Sequence, residues 1–351
     1  MMTLILKPLD PLFFGKGLPF AAGENSFSTG LSMPHPSVPY GALRSVFFSA
    51  HPQELPLANT LEDKTKPLRI TRWNLYDGGV DSPVFPAPLD LCYMEEDDRF
   101  EPLSLETNDL LSSLPALPYQ LKARKAEGES AAGYWVNQLD VYLAGEAPIV
   151  VHENEIVLIE AKTGLKRQAQ TKTSEDRMLY QIPMQRYRDD IRFELYYEGL
   201  HETYDMLRLG GQSRSCAVNC VENAQDIPHG NIANGHFKLY LSTPALFDRG
   251  WLPGWINPDT MSGELAGNVI ELCAACVGNA VHVSGWDMKA KKPKLMRLAV
   301  PAGSVYYFRL KDNTSSAQEA VLAEMHGRAV SDNEEDRKQG FGIAYVGGWA
   351  V

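Results

Sequence analysis

The first fifty residues constrain the fold of this chain more than any other stretch. Leu4, Ile5 and Leu6 form a continuous apolar run that is typical of an interior strand, and Pro8 ends it because proline donates no hydrogen bond to a ladder. Residues 9–38 then contain four glycines and four prolines, so neither helical nor strand periodicity survives. Because so long a loop in a compact domain is usually functional or disordered, we expect a ligand or partner to order it.

A helix is predicted directly after this loop. Apolar residues recur there at helical spacing, at Tyr40, Leu43, Phe47 and Ala50. Ser37 is placed to cap this helix and Pro52 to end it. Arg44 lies off the apolar stripe, so it is either a solvated helix charge or a cation reserved for a binding partner.

The composition is that of a globular protein of two domains. The chain has 351 residues, 44% hydrophobic and 22% charged, which is enough for a sizeable core. Its net charge of −11 argues against a protein that coats nucleic acid over its whole surface, while local basic patches remain open. Neither a signal-peptide pattern nor an apolar run of about eighteen residues occurs, so we expect a cytoplasmic protein without a membrane partner.

Cysteine and histidine patterns do not favour a metal or cofactor. The pairs Cys216/Cys220 and Cys273/Cys276 have spacings that admit zinc, but their apolar, strand-like surroundings favour buried thiols. The eight histidines form no HExxH motif, and neither a Walker A loop nor a strand-linked GxGxxG motif leading into a helix occurs. We therefore expect no metal site, no cofactor and no nucleotide hydrolysis.

Positive charge is concentrated in one segment. Residues 162–192 contain eight basic and four acidic side chains, a net charge of +4, which leaves −15 on the rest of the chain. A strand over 155–160 and a return over 178–180 predict a polar β-hairpin here. A basic projection on an acidic body indicates one anionic partner, and the alternative interpretation is an ordinary solvated hairpin.

Periodicity predicts the remaining elements. Strands are expected at 68–76, 190–198, 215–221, 236–241, 280–286 and 304–310, with 190–198 as the last strand of the first domain. A surface insertion is expected over 95–130, and helices are expected within 134–142 and around 262–276. Residues 288–297 carry five cations and no acid, which makes a second basic loop between two strands.

The N-terminal unit resembles a known family. Residues 7–14 (KPLDPLFF), 17–20 (GLPF) and 41–44 (GALR) are similar to the opening of the RAMP-superfamily subunit that caps the crRNA 5′ handle in type III-B (Cmr) CRISPR effector complexes. The family usually has an arginine and an acid after the paired phenylalanines, where this chain has Gly15 and Lys16. Lys16 is thus the local basic substitute.

Later segments extend the resemblance to nearly the full chain. Residues 160–165 (EAKTGL) resemble the family segment that leads into a β-hairpin called the thumb, which lies against the RNA. Lys162 stands where the family commonly has arginine. Lysine keeps the positive charge but lacks the planar guanidinium group of arginine. Residues 209–214 (LGGQSR) resemble another family segment, with Gln212 in place of a glutamate. Paired glycines let a backbone approach a phosphate closely, so amides there could hold an RNA turn. The C-terminal segment 340–349 resembles the superfamily's glycine-rich loop and last strand.

The resemblance implies an α+β fold with two ferredoxin-like (RRM-like, βαββαβ) domains, long inserted loops and a thumb-like β-hairpin. The first domain would span 1–199, with the thumb at about 162–180, and the second 200–351. The implied function is that of a non-catalytic, RNA-binding subunit in antiviral defence. Its implied partners are the crRNA 5′ handle, the large Palm-domain subunit, an adjacent backbone RAMP subunit and target RNA near the thumb.

The residues expected to bind RNA combine the basic segment with the family segments. They are Lys16, Arg44, Lys162, Lys166, Arg167, Lys172, Arg177, Gly210, Gly211, Gln212 and Arg214.

Two other functions remain open from the sequence. One is metal-independent RNA cleavage of the kind found in processing RAMP proteins, with His35 activating a ribose hydroxyl and Tyr40 and Lys16 assisting. The other is a protein-protein scaffold, which would require the basic loops to meet acidic partners instead of phosphate.

Overall fold

The computed structural model of the chain describes residues 1–15, 30–94, 99–108, 117–123, 128–167, 170–171, 174–202, 204–221, 225–287 and 292–349. The helices in these ranges are α1 (Ser37–Ala50), α2 (Leu139–Leu143), α3 (Ser315–Met325) and α4 (Glu334–Lys338). The strands up to residue 221 are β1 (Met2–Pro8), β2 (Arg69–Asp77), β3 (Ser82–Pro86), β4 (Leu91–Met94), β5 (Arg99–Pro102), β6 (Ser104–Thr107), β7 (Tyr119–Lys122), β8 (Glu129–Ser130), β9 (Tyr134–Val136), β10 (Val150–His152), β11 (Val157–Arg167), β12 (Ser174–Tyr187), β13 (Ile191–Glu198), β14 (Met206–Arg208) and β15 (Ser215–Val221). The later strands are β16 (His236–Leu241), β17 (Ile256–Asn257), β18 (Ser262–Leu265), β19 (Asn268–Cys276), β20 (Val281–Val283), β21 (Trp286–Asp287), β22 (Lys292–Pro293), β23 (Arg297–Ala299), β24 (Val305–Leu310), β25 (Arg328–Ala329) and β26 (Ile343–Gly348).

The first sheet is built around the N-terminal strand. Its order is β10-β9-β3-β2-β13-β1-β15-β14, and β1 runs antiparallel to both β13 and β15. This confirms the prediction of an interior strand. Leu4 and Leu6 pair with Leu195 and Phe193 of β13, and all four side chains are at most 1% exposed. They share one apolar core with the buried face of α1, which therefore packs on this side of the sheet.

Helix α1 confirms the predicted helix but not its predicted cap. Pro36 occupies the N-cap position, no side chain caps the first turn, and Ser37 is already helical. The buried face consists of Pro39, Ala42, Leu43 and Phe47. Ala50 is exposed because the stripe turns away from the sheet in the last turn.

Strand β15 belongs to the first sheet, whereas the sequence placed residues 215–221 in the second domain. β15 pairs with β1 from Thr3↔Val221 to Pro8↔Cys216, so β13 is not the last strand of the first sheet. Alternation predicts a strand but cannot tell which sheet it joins, because that depends on a partner two hundred residues away. The predicted boundary at residue 199 therefore cuts through this sheet, and a boundary after β15 fits the pairing better.

The second sheet has the order β17-β18-β19-β24-β16-β26-β25. It includes β18 and β19, an antiparallel hairpin where the sequence predicted a helix over 262–276. The turn between them has left-handed backbone at Ala266 and Gly267. A register shift between Leu272 and Ala274 leaves both of them and Cys273 buried. That bulge removes the strand alternation, which is why the periodicity was misleading.

Each sheet contains four strands with the same order along the chain. The two sets are β15-β1-β13-β2 and β26-β16-β24-β19. If the four strands of each set are numbered by their order along the chain, both sets have the spatial order 4-1-3-2. Helix α1 connects the first and second strands of one set, and α3 lies between the third and fourth strands of the other. The α+β class is thus confirmed. A complete βαββαβ repeat has a second helix, which the described residues of neither set supply at that place, so the ferredoxin-like assignment stays a prediction.

The remaining elements decorate these sheets. The insertion predicted over 95–130 forms the small strands β5 to β8 in its described part. The helix predicted within 134–142 is split into β9 and α2, and Trp135 is buried in the core. Residues 281–283 and 286–287, expected as one strand, form β20 and β21 in two separate small sheets. No helix within the described ranges is long and apolar enough to cross a bilayer.

The two sheets meet at a buried carboxylate. Asp90, in the loop between β3 and β4, accepts hydrogen bonds from the hydroxyls of Tyr142 in α2 (2.7 and 2.8 Å) and Tyr307 in β24 (2.5 Å). Next to it, Leu89 N donates to Gly303 O at 2.8 Å and the Tyr240 hydroxyl donates to Pro86 O at 2.5 Å. The loop between β3 and β4 is therefore hydrogen-bonded to residues of the second half of the chain.

The connection between the sheets is fitted tightly beside this loop. Gly230 N donates to Val346 O of β26 at 2.9 Å. A Cβ added at Gly230 would lie 1.9 Å from Leu143 O and 2.6 Å from Gly348 N. The connecting segment is thus held between α2 of the first half and the last strand of the second.

Replacing Asp90 with alanine is expected to destabilise the protein by about 3 kcal/mol, because two buried hydroxyls lose their acceptor at roughly 1–3 kcal/mol each. Urea unfolding followed by tryptophan fluorescence measures this change. The control is Asp312→Ala at an exposed acid, which we expect to alter stability by no more than about 0.5 kcal/mol. Equal midpoints for the two variants would show that the buried carboxylate does not hold the sheets together.

Candidate nucleic-acid interface

An open cleft of about 2990 Å³ is lined by residues from both halves of the described chain. One wall is α1 with the turns that follow it, and a second is formed by Phe13, Phe14 and the turn between β14 and β15. Further lining comes from the second half of the chain, from the strands β21 and β22 and from α4. The cleft exists because both halves contribute to it.

The charge of the cleft is opposite to that of the chain. Its described lining includes five cations, Arg44, Lys66, Arg208, Lys294 and Arg297. The acids of the same lining are Asp63 and Glu335, so the net charge is +3 on a chain that carries −11. A local positive surface of this kind attracts a polyanion that the rest of the chain repels.

Large exposed apolar side chains also collect at the cleft. Five side chains that line it are more than half exposed, namely Leu55, Leu61, Met206, Trp286 and Leu295. Single-stranded nucleic acid presents apolar base faces and phosphates together, and proteins bind it with aromatic surfaces and cations in one groove. The cleft offers both kinds of contact.

Arg44 lies on the wall of this cleft, where other side chains hold its guanidinium. It is therefore not the freely solvated helix charge that the sequence left open. Its Nη2 pairs with Asp63 Oδ2 at 2.7 Å, and its Nε donates to Thr65 Oγ1 at 2.8 Å. The guanidinium lies 5.6 Å from the centre of the Phe48 ring. Among the described residues nothing accepts from Nη1, so these two N–H groups remain available to an anion in the cleft.

The paired glycines, Gly210 and Gly211, make close contacts within the chain. Gly211 N donates to Phe13 O at 2.8 Å, and a Cβ at Gly210 would lie 2.5 Å from that same oxygen. The amide hydrogen of Gly211 is therefore used within the chain, and the expectation that this turn holds RNA stays a prediction. Gly210 has a φ of +78°, and Gln212 follows with a φ of 61° and an exposed side chain on the cleft.

Arg214 lies at the end of the same turn but outside the cleft lining. It pairs with Asp10 at 3.0 Å, and its Nε is buried without a hydrogen-bond partner. The turn is thereby tied to the N-terminal loop at both Phe13 and Asp10.

The predicted basic hairpin is present as β11 and β12. They pair from Val157↔Tyr187 to Arg167↔Ser174, and Lys162 is exposed opposite Ile182. Lys166, Arg167 and Arg177 lie on these strands, with side chains outside the described part. Lys16 and Lys172 lie outside the described residues altogether.

The base of this hairpin is joined to the long N-terminal loop. Leu12 and Gln185 exchange backbone hydrogen bonds of 2.9 and 2.6 Å, and the Tyr187 hydroxyl donates to Ser32 O at 2.6 Å. Both described ends of the loop are therefore anchored in the fold. The expectation that a ligand orders the loop applies mainly to residues 16–29, which lie outside the described residues.

His35 lies on the cleft but is committed to a structural contact. Its Nε2 lies 3.1 Å from the carbonyl oxygen of His282, so as a neutral donor it links the loop before α1 to β20. Burial lowers the pKa of His35, although the contact with the His282 carbonyl acts in the opposite direction. Burial likewise raises the pKa of Tyr40. Lys16, the third member of the proposed acid-base set, lies outside the described residues.

The second basic loop reaches the cleft through Lys294 and Arg297. Arg297 makes a bidentate pair with Asp336, at 2.8 and 2.6 Å, so its charge is largely compensated. The sequence did not single out Lys66, Arg208 or Trp286. They are isolated in sequence, and only the fold brings them to one surface.

Cys216 and Cys273 are buried thiols as expected, whereas Cys276 is half-buried and Cys220 is exposed, so the expectation of buried thiols is wrong for Cys220. Burial raises the pKa of Cys216 and of Cys273 to about 12. Cys276 Sγ lies 3.1 Å from Leu89 O. Within the described ranges no group of three or more His, Cys, Asp or Glu side chains is arranged to hold a metal.

Comparisons with known proteins agree with this architecture. One solved structure, described as the cryo-EM structure of the type III-B Cmr-beta bound to cognate target RNA, contains a chain with a TM-score of 0.52 and 15% identity, covering 92% of this chain and 89% of that one. This likeness shows a shared fold. A structure of the same complex with AMPPnP gives a TM-score of 0.49 at 14% identity over 87% and 86% of the two chains, which is too weak to add an argument. None of the curated proteins matches.

The family itself is shown by sequence. The model of the family described as CRISPR-associated protein (Cas_Cmr3) matches residues 4–349, nearly the whole chain. The match includes the N-terminal strand, the hairpin of β11 and β12, and the last strand. The chain therefore belongs to the Cmr3 family of CRISPR-associated proteins, RAMP-like subunits of type III CRISPR systems, as the sequence resemblance indicated.

Proposed function

We propose that this chain is a non-catalytic subunit of a type III-B CRISPR effector complex that binds the crRNA 5′ handle. The observation that carries the proposal is the cleft, which has a lining charge of +3 on a chain of −11 and a collection of exposed apolar side chains. Membership of the Cmr3 family supplies the CRISPR context. The similar Cmr-beta structure is bound to cognate target RNA, which supports RNA as the ligand class.

Single-stranded RNA would be held in the cleft mainly through its phosphates. Lys66, Arg208 and Lys294 are exposed, and the described residues provide no ion-pair partner for them. The Nη1 group of Arg44, from which none of the described residues accepts a hydrogen bond, adds a directional donor on the wall formed by α1. Such contacts position a strand without reading its sequence, so specificity for a handle would require base contacts with residues such as Gln212.

The basic hairpin of β11 and β12 is proposed to contact RNA separately from the cleft, near the target strand. Its cations include Lys162, Lys166, Arg167, Lys172 and Arg177. We further propose that the large Palm-domain subunit and an adjacent backbone RAMP subunit dock on this chain. In this arrangement Arg214 supports the N-terminal loop through Asp10 and does not touch the cleft.

RNA that co-purifies with the chain tests this function directly. We expect sequencing of the bound RNA to show one shared 5′ sequence followed by variable sequence, because a handle is common to all guides. The comparison variant is Lys66→Ala with Arg208→Ala, which should retain less RNA than Lys311→Ala with Arg328→Ala at exposed sites outside the cleft. A bound population without a shared end would contradict handle binding, and no retained RNA would favour a scaffold.

The hairpin cations are expected to contribute to binding through phosphates alone. Replacing Lys166, Arg167 and Lys172 together by alanine should flatten the slope of log affinity against log salt by up to about two units, since each phosphate contact contributes roughly 0.7. The loss should be the same for handles of any sequence. Titrations of fluorescent RNA at several salt concentrations measure the slope. An unchanged slope in a folded triple variant would assign the hairpin to bulk solvent or to a protein partner.

The chain is expected not to cut RNA, because His35 is buried and its Nε2 is engaged with the His282 carbonyl. Repeat RNA incubated with purified protein in a chelator should remain intact. Specific cleavage that disappears in His35→Ala, while His326→Ala retains it, would replace the binding function by that of a metal-independent endoribonuclease.

A further inference from the structure

The second basic loop belongs to a small projection that forms part of the cleft wall. We call the described residues 281–287 and 292–299 the arm. Its stem is the ladder of β20 and β23, from Val281↔Ala299 to Val283↔Arg297. Val283 and Ala299 are buried in a small apolar cluster with Leu246 and Phe341. The arm is therefore anchored in the second half of the chain.

The end of the arm is held in a defined shape. Trp286 pairs with Pro293 in the short ladder of β21 and β22. Lys294 N donates to Gly285 O at 2.8 Å, and Ser284 Oγ donates to Lys294 O at 3.2 Å. At the stem, the contact of His35 with His282 O joins the arm to the loop before α1. These contacts hold β21, and with it Trp286, next to the loop before α1.

Trp286 is the unusual residue of this arm. Its side chain is 56% exposed, lines the cleft, and stacks on no other ring among the described residues. Of the other aromatic side chains of the lining, Phe14 and Phe341 are buried, and Phe13, Tyr40 and Phe48 are half-buried. An exposed indole gains none of the stabilisation that burying its apolar surface would give. An exposed apolar side chain within a cleft therefore indicates a surface that binds a ligand.

The charges around Trp286 identify the class of ligand. Lys292 and Lys294 follow on the returning strand, both exposed and without an ion-pair partner in the described part of the chain. Asp287 is opposite Lys292 in the ladder of β21 and β22, whereas Lys294 lines the cleft together with Trp286. An aromatic face beside cations matches a nucleotide, whose base stacks while its phosphates are neutralised, and it fits an uncharged protein surface less well.

We propose that Trp286 is a stacking platform for one base of the single-stranded RNA in the cleft, with Lys294, which lines the same cleft, neutralising a phosphate beside that base. The proposal rests on the RNA-binding function above and adds a base contact to it. Because every base has a π face, the platform grips a nucleotide whatever its identity. It fixes the path of the strand along the arm side of the cleft and leaves sequence reading to other residues.

The test combines variants of the full chain with RNA in which one nucleotide at a time is abasic. Trp286→Ala should weaken binding of a short single-stranded RNA about tenfold and leave the salt slope unchanged, because stacking neutralises no phosphate. Trp286→Phe should retain most of the affinity. Lys294→Ala should instead flatten the slope by about 0.7 units. Leu298→Ala, an exposed apolar position on the same arm outside the cleft lining, is the matched control and should bind as the wild type does.

The abasic scan locates the stacked base. In the wild type, one abasic position should weaken binding about as much as Trp286→Ala does, and in that variant the same position should have no further effect. Independent, additive losses at every position would overturn the platform, as would wild-type affinity of Trp286→Ala. A variant that binds RNA normally but fails to join its partner subunits would assign Trp286 to a protein interface. Absence of RNA binding by the wild type would instead overturn the proposed function and this inference with it.

Discussion

The carboxylate of Asp90, buried between the two sheets, joins the two halves of this chain. Asp90 accepts hydrogen bonds from Tyr142 on one side and from Tyr307 on the other, so the two halves share a polar contact that neither could satisfy alone. A second polar group, the pair of Arg72 and Glu194, is buried on the first sheet near the connection to the second, and Arg72 also donates to Gln225 O. Buried polar groups with all partners in place fix one arrangement, since any sliding would leave them unpaired.

The cleft depends on that arrangement because its walls come from different halves. Arg44 and Lys66 belong to the segment around α1, while Trp286 and Lys294 belong to the arm. A shift of one half against the other would change the distance between these cations and the indole. The geometry of binding is thus determined at the junction of the sheets, at residues that do not line the cleft.

The sequence predicted the local elements well where burial is regular. β1, α1, β16 and β24 follow directly from apolar patterns, and the hairpin of β11 and β12 follows from a basic segment between two strands. It failed where a tertiary contact changes the local pattern. The bulge beside Cys273 hid a strand, and the pairing of β15 with β1 joined residues far apart in the chain.

The residues of the candidate site also divide into those that the sequence predicted and those that only the structure revealed. Arg44, Gly210 and Gln212 were named from family segments and do line the cleft, although Gly211 uses its amide for Phe13. Lys66, Arg208 and Trp286 had no signal in the sequence, because a single cation or indole between ordinary neighbours carries no spacing to recognise. What assembles them is the packing of two sheets, and one-dimensional pattern reading does not contain that information.

The position of Gly230 has a consequence for synthesis on the ribosome. The segment around it is enclosed by Leu143 on one side and by Gly348 on the other, within a space that has no room for a single methyl group. Because Gly348 ends β26, that enclosure cannot form before β26 has emerged from the exit tunnel. The first sheet can pair its strands earlier, but the part of α2 that contacts β26 stays uncovered until β26 is available.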